Sequence, residues 1–274
     1  MLSPEKCPEL VPSLHCLLAA TKAHAQTPAL KLERMEPVYL DRHAALYNEQ
    51  ERALVATCGS ALRTRHLFAS FQLEQLWALS ESCRWQVLQK LVGKERESTW
   101  NDEERLLGMI LLDAFLFESR SLIDFFMKYA CTVFRVDCPG HMSSDKFRKA
   151  MARARSPFSE RAQALSAYFD EHVFGDDCWG LLLRGLRDRI AHRDILRGDS
   201  TGDEEIMGVR LAWPTVQKMT YERLAQTFDN GVFDLFRDTS PWLFGLKWKT
   251  GPYRPELWDE ERSAFGSDGS KAGG

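Results

Sequence analysis

"TWNDEERLLGMILLDAFLFESRSLIDFFMKYACTVFRV", Thr99–Val136, decides the fold class. It opens with helix-entry chemistry. Thr99 or Asn101 serves as the cap, and Asp102, Glu103 and Glu104 fill the first turn, where the positive end of the helix dipole favours carboxylates. From Leu106 to Phe134 the helix is apolar on nearly every side, which marks a central helix covered by neighbours on most sides. Its longest apolar run, "LLGMILLDAFLF", is broken by Asp113 and is too short to span a bilayer, so no membrane role is expected.

The flanking sequence supplies the covering elements. Residues 38–93 contain no proline, and apolar side chains return at three- and four-residue steps, as in Leu73, Leu76, Trp77 and Leu79. Two or three helices are expected there, breaking near Gly59 and ending near Gly93. On the other side, "CPGHMSSD" (138–145) reads as a loop in which Ser143 or Ser144 caps the next helix, "DKFRKAMARARSPF" (145–158). "SERAQALSAYFDEHVF" (159–174) gives another helix, and a further one runs from Cys178 to about Leu196. "RGDSTGDEE" (197–205) reads as a polar loop, and "IMGVRLAW" (206–213) as a short strand or hairpin arm terminated by Pro214. "TVQKMTYERLAQTFDNGVFDLFRD" (215–238) returns to helical spacing. Helices joined by short loops pack antiparallel, so the expected class is all-α, an antiparallel helical bundle with a small β excursion. The expected divisions are an irregular arm with at most one short helix (1–36, carrying Pro4, Pro8, Pro12 and Pro28), N-terminal helices packing on the bundle (37–98), the bundle itself (99–262) and a flexible tail (263–274).

Composition narrows the function classes. Hydrophobic residues make up 44% and charged residues 27% of 274, which suits a packed globular chain. A formal net charge of −3 excludes the global basic excess of a protein that binds nucleic acid by charge alone, so a polyanion site must be local. Seven scattered cysteines without a C-x-x-C pair support neither a disulfide framework nor a zinc knuckle, and reduced thiols are expected. Residues 10–25, "LVPSLHCLLAATKAHA", are a poor secretory signal, interrupted by Pro12, Ser13 and His15, and a cytoplasmic location is expected.

Chemistry concentrates in "LRDRIAHRD", Leu186–Asp194. On a helical wheel Trp179, Leu183, Leu186 and Ile190 form one stripe, which faces the core, and His192 lies well away from it with Asp188 and Arg184 nearby. Asp188 precedes His192 by one turn, a spacing at which a carboxylate holds an imidazole and favours its protonated form. Gly185 costs about 1 kcal/mol relative to alanine inside a helix, a cost that close approach of a helix, a second subunit or a ligand would explain. A second concentration of charge is the basic run Lys146–Arg155, where Arg148 and Arg155 are seven apart and expected on one helix face. Solvated polar faces of both kinds are ordinary in globular proteins.

The string "LRDRIAHRD" resembles the signature of HEPN domains, an all-helical family in which an arginine, often followed by a polar residue, precedes a histidine by a short helical interval. The matching positions are Arg187, Asp188 and His192. "DAFLFESRSLIDFFMKYACTVF", Asp113–Phe134, is similar to the long helix that precedes the motif helix in such proteins, and the resemblance covers roughly residues 99–235. It implies a HEPN-like bundle and, as in many members, a metal-independent endoribonuclease that works as a homodimer whose motif helices meet. His192 would then supply base and acid, Arg187 would stabilise the phosphorane, and Asp188 would orient His192. Arg184, Arg148 and Arg155 are the candidate RNA-contacting cations. No cofactor and no metal is expected: His192, Asp188 and Asp194 offer ligands, but no second histidine lies at helical spacing. The rivals are a non-catalytic nucleotide- or RNA-binding or regulatory module and a plain helical scaffold. The partners the resemblance implies are RNA, a second copy of the chain, and an antitoxin or regulatory protein, with toxin, defence and RNA-processing roles all open.

Overall fold

The structure is a computed structural model that describes residues 28–92, 97–140, 142–192, 200–206, 209–249 and 256–259, with side chains over 35–84, 100–140, 142–190 and 213–245. The fold is all-α with a small β excursion after the motif helix. Seven α-helices are described: α1 (Pro28–Arg42), α2 (Glu49–Val92), α3 (Asp102–Val133), α4 (Ser144–Met151), α5 (Ser159–Tyr168), α6 (Trp179–His192) and α7 (Tyr221–Phe244). None is long and apolar enough to cross a membrane.

The ends of these helices follow from local chemistry. Asn48 and Glu51 form a reciprocal capping box at the start of α2, each backbone N–H donating to the other's side chain at 2.9 Å. Asn101 and Glu104 repeat it on α3 at 2.8 Å, so Asn101 is the cap there. The Ser143 hydroxyl accepts from the Lys146 backbone N–H and caps α4. After Tyr168 the chain continues through one wide turn of π-helix, Phe169–Val173.

Several expectations need correction. The arm, expected to hold at most one short helix, contains the start of α1 at Pro28, and that helix runs past the expected boundary at residue 36 to Arg42; residues 1–27 and the tail 263–274 lie outside the described residues. No break occurs at Gly59, and α2 runs unbroken for 44 residues. A Cβ at Gly59 would collide with the carboxylate of Glu36, a buried group that accepts a 2.7 Å hydrogen bond from the Tyr129 hydroxyl. The glycine therefore marks a close approach and not a hinge. The segment read as a polar loop is mostly strand: β2 (Ser200–Ile206) pairs antiparallel with β3 (Val209–Val216) over its full length. Pro214 sits inside β3 and does not terminate it. β1 (Glu97–Thr99) pairs parallel only with Arg210–Ala212, so Pro214 falls where β3 has a paired neighbour on one side, the setting in which a missing N–H is tolerated. β4 (Met219–Thr220) closes against Thr215 and Val216, and β5 (Leu246–Lys249) pairs with β6 (Glu256–Asp259) in a separate ribbon.

Among the described residues the chain groups into two compact units, each built from separated stretches. The first contains Arg63–Ile123 and Asp177–Val232. Its core includes Leu73, Leu76, Leu112, Phe115, Leu116, Leu183, Leu186 and Phe228, all buried. Trp100 stands edge-on to Trp213 and Tyr221 at 5.4 and 6.1 Å, over Gly108, where any side chain would strike the Trp100 ring. Gly231 on α7 plays the same part for Trp179, whose indole seats α6 against α7. The second unit contains Pro28–Leu62 and Asp124–Asp176 with the described residues from Phe233 onward. It is dominated by aromatics: Phe126 contacts Phe169 and Phe236 at 5.7 and 5.5 Å, and Phe147 meets Phe169 at 4.8 Å. The five cysteines whose state is described, Cys58, Cys83, Cys131, Cys138 and Cys178, are free thiols.

Candidate functional site on the motif helix

Burial matches the wheel reading of α6 in part, since Trp179 and Ile190 of the expected core stripe are only half-buried. Leu183 and Leu186 are fully enclosed in the first unit, whereas Arg184, Gly185, Asp188 and Arg189 are exposed. A Cβ added at Gly185 would meet nothing within 4 Å, so no described part of this chain makes the close approach that would explain the glycine.

Arg187 touches both a neighbouring helix and the next residue on its own. Its guanidinium carbon lies 5.5 Å above the ring centroid of Phe117 on α3, and its Nη1 donates to Asp188 Oδ1 at 3.3 Å. The side chain is 32% exposed, against 51% for Asp188. A partly exposed cation over an aromatic face gains about 0.5–1 kcal/mol. An exposed ion pair adds about 0–1 kcal/mol. Both contacts restrain the fork while leaving it open to solvent. The carboxylate expected to orient His192 is thus engaged with Arg187. His192 closes α6 one turn after Asp188, and its side chain lies outside the described residues. Arg184 carries no ion pair among the described residues.

Phe117 had not been singled out from the sequence, nor had the surface around it. Leu106, Leu107, Ile110 and Phe117 on α3 are each about half exposed, whereas from Leu111 to Val133 every residue but Phe117 is buried or half-buried, so the helix is covered on most sides but leaves one apolar stripe open. Leu106, Ile110 and Phe117 recur at helical spacing, with Asp113 on the same stripe. Asp113 is half-buried, its Oδ1 meets no hydrogen-bond partner among the described residues, and burial pushes its carboxyl up to about 6. The spacing was visible in the sequence, but an apolar stripe that is left uncovered looks there the same as one that is packed.

The other two nominated cations belong to the second unit. Arg148 is committed to carboxylates, at 2.6 Å from Asp145 and 3.6 Å from Asp170. Arg155 does not share its helix face, because α4 stops at Met151. The Arg153 and Ala154 N–H groups turn back to the Ala150 and Met151 carbonyls, and Ser156 precedes Pro157, which disfavours helix. Arg155 instead lines a pocket with Arg135 and Arg153.

No protein-family model matches the chain, and neither a curated protein nor a solved structure matches it.

Proposed function

We propose that the protein is a cytoplasmic, metal-independent endoribonuclease of HEPN type, acting as a homodimer in which two copies of α6 come together. The observation that carries this reading is Arg187: a permanently charged fork, restrained by Phe117 and Asp188 yet open to solvent, beside the uncovered polar face of α6. The half-exposed Leu106, Ile110 and Phe117 give a second copy apolar surface to cover next to it.

In this mechanism the His192 imidazole of one copy takes the proton from an RNA 2′-hydroxyl. The 2′-oxygen attacks phosphorus, Arg187 binds the non-bridging oxygens as their charge grows, and His192 of the other copy protonates the departing 5′-oxygen. The products are a 2′,3′-cyclic phosphate and a 5′-hydroxyl. Arg184 extends the positive face along the strand.

Purified protein is expected to cleave single-stranded RNA in EDTA, and Arg187→Ala and His192→Ala are each expected to abolish cleavage while leaving the helical circular dichroism unchanged. Cleavage that survives His192→Ala overturns the proposal. The Arg187–Asp188 contact favours a second reading, RNA retention without turnover, because it makes Asp188 Oδ1 a charge partner of Arg187. That reading expects salt-dependent RNA binding, weakened by Arg187→Ala and indifferent to His192→Ala. Toxin, defence effector and RNA-processing roles all fit either reading, and an antitoxin or regulatory protein is the partner class each would bring.

A further inference from the structure

The second unit holds a cationic pocket that takes no part in the α6 site. Arg135, Asp137, Arg153, Arg155 and Ser156 line a space of about 490 Å³ whose inner wall is Phe134 and Phe158. Its size lies within the range of about 300–1,000 Å³ usual for small-ligand sites.

Two loops build it. The first is the end of α3, where the Val136 N–H reaches the Cys131 carbonyl at 2.9 Å and the Arg135 N–H reaches Thr132 at 3.2 Å. This helix stop needs a left-handed residue, ordinarily glycine, and here Arg135 takes it with φ 54°. Strained backbone of this kind is held by its surroundings. Arg135 donates through Nε and Nη2 to Glu51 Oε1 at 3.0 and 2.8 Å, with Tyr47 beneath it at 5.8 Å. The second loop is Arg153–Phe158, closed by the Phe158 N–H donating to the Arg155 carbonyl at 2.8 Å.

The charges on this wall are not balanced. Glu51 neutralises Arg135, but Arg153 and Arg155 are exposed and make no ion pair among the described residues, and the Ser156 hydroxyl beside them makes no hydrogen bond there. Asp137 is the one carboxylate in the lining and lowers the positive potential on its side. Two forked guanidiniums and a hydroxyl around one pocket match the oxygens of a phosphate. A phosphate monoester carries about −1.5 to −2 at neutral pH, which suits two unpaired arginines, whereas a diester carries only one charge.

We infer that this pocket binds a phosphate monoester through Arg153, Arg155 and Ser156, with Arg135 and the two phenylalanines forming its fixed wall. The inference is independent of whether α6 cleaves RNA, since no residue of α6 takes part. Calorimetry on the full chain tests it with phenyl phosphate, with dimethyl phosphate, and with an RNA octamer bearing either a 5′-phosphate or a 5′-hydroxyl. Phenyl phosphate is expected to bind saturably and at least tenfold more tightly than dimethyl phosphate. The double variant Arg153→Gln/Arg155→Gln should lose at least tenfold in phenyl phosphate affinity while keeping its helical circular dichroism. A tenfold preference for the 5′-phosphorylated octamer would identify the ester as an RNA end; equal octamer binding with phenyl phosphate retained would identify it as a small molecule. Absence of saturable phenyl phosphate binding, equal affinity for dimethyl phosphate, or an unaffected double variant overturns the inference.

Discussion

Arg187 and Arg155 come from arginine-rich stretches that look alike in sequence, and the fold treats them differently. Arg187 projects from a regular helix, over a ring on a neighbouring helix and against the next residue's carboxylate, so its position derives from α3 and α6. Arg155 sits past the end of a helix that stops four residues earlier, in a loop that gathers cations without matching anions. A guanidinium on a rigid element suits a step that needs fixed geometry. Unneutralised guanidiniums in a loop suit capture of a multiply charged ligand, whose binding relieves their mutual repulsion. The comparison therefore separates positioning from charge as reasons for an arginine to be where it is.

The largest effect is expected in the scaffold of Arg187. Leu186 is fully buried one position before Arg187, so Leu186→Ala is expected to cost about 2–5 kcal/mol in urea denaturation. Arg187→Ala is expected to cost at most about 2 kcal/mol, from the ring contact and the exposed ion pair together. If the two variants were equally unstable, Arg187 would be a structural residue and the positioning argument would fail.

A smaller effect is expected where α6 meets α7. Any side chain at Gly231 collides with the Trp179 indole, so Gly231→Val must displace the start of the motif helix. Overpacking of this kind costs about 1–3 kcal/mol. RNA cleavage should fall with it, whereas binding of phenyl phosphate in the second unit should not. Loss of both together would show that the two sites are not separable.

How much of this was legible depends on whether a signal is local. The capping residue Asn101, the buried pair Leu183 and Leu186, and the polar face carrying Arg184 and Asp188 all follow from helical period and cap chemistry, which act within a few residues. Gly59 misled because the approach of Glu36 and Tyr129 is a tertiary fact, and in sequence a glycine chosen for space looks like one chosen for a break. β2 was missed because "STGDEEI" has almost no apolar residue to alternate, and backbone pairing with β3 sets its state. The split of Arg148 from Arg155 was legible but missed: Ser156 before Pro157 disfavours helix, and α4 stops at Met151. Phe117 was invisible as a partner because its contact with Arg187 joins residues seventy positions apart.

A gentler effect is expected at Phe117. Phe117→Ala removes the surface under Arg187 but leaves its charge, and with half of the ring exposed the fold should hold. The expected loss is about 0.5–1 kcal/mol in stability. RNA cleavage should drop several-fold, far less than with Arg187→Ala. Cleavage unchanged in Phe117→Ala would mean that restraint of the guanidinium does not matter and that charge alone accounts for Arg187.

The smallest effect concerns Asp113, on the same stripe of α3 as Phe117. Burial without a hydrogen-bond partner raises its carboxyl to about 6 from an ordinary 3.8, so the folded chain holds this proton more tightly than the unfolded chain does. Between about pH 4 and 6 the native state is then the more protonated one. Stability falls as pH rises through that window and stays lowered above it. Because the group is only half-buried, solvent reduces the effect below what the full shift implies. Asp113→Asn should therefore melt higher than the parent at pH 8 and at the same temperature at pH 3.5. A second copy covering the stripe would bury Asp113 further and widen the difference at pH 8 as protein concentration rises, whereas a concentration-independent difference would leave the stripe uncovered in solution and count against α3 as part of a dimer contact.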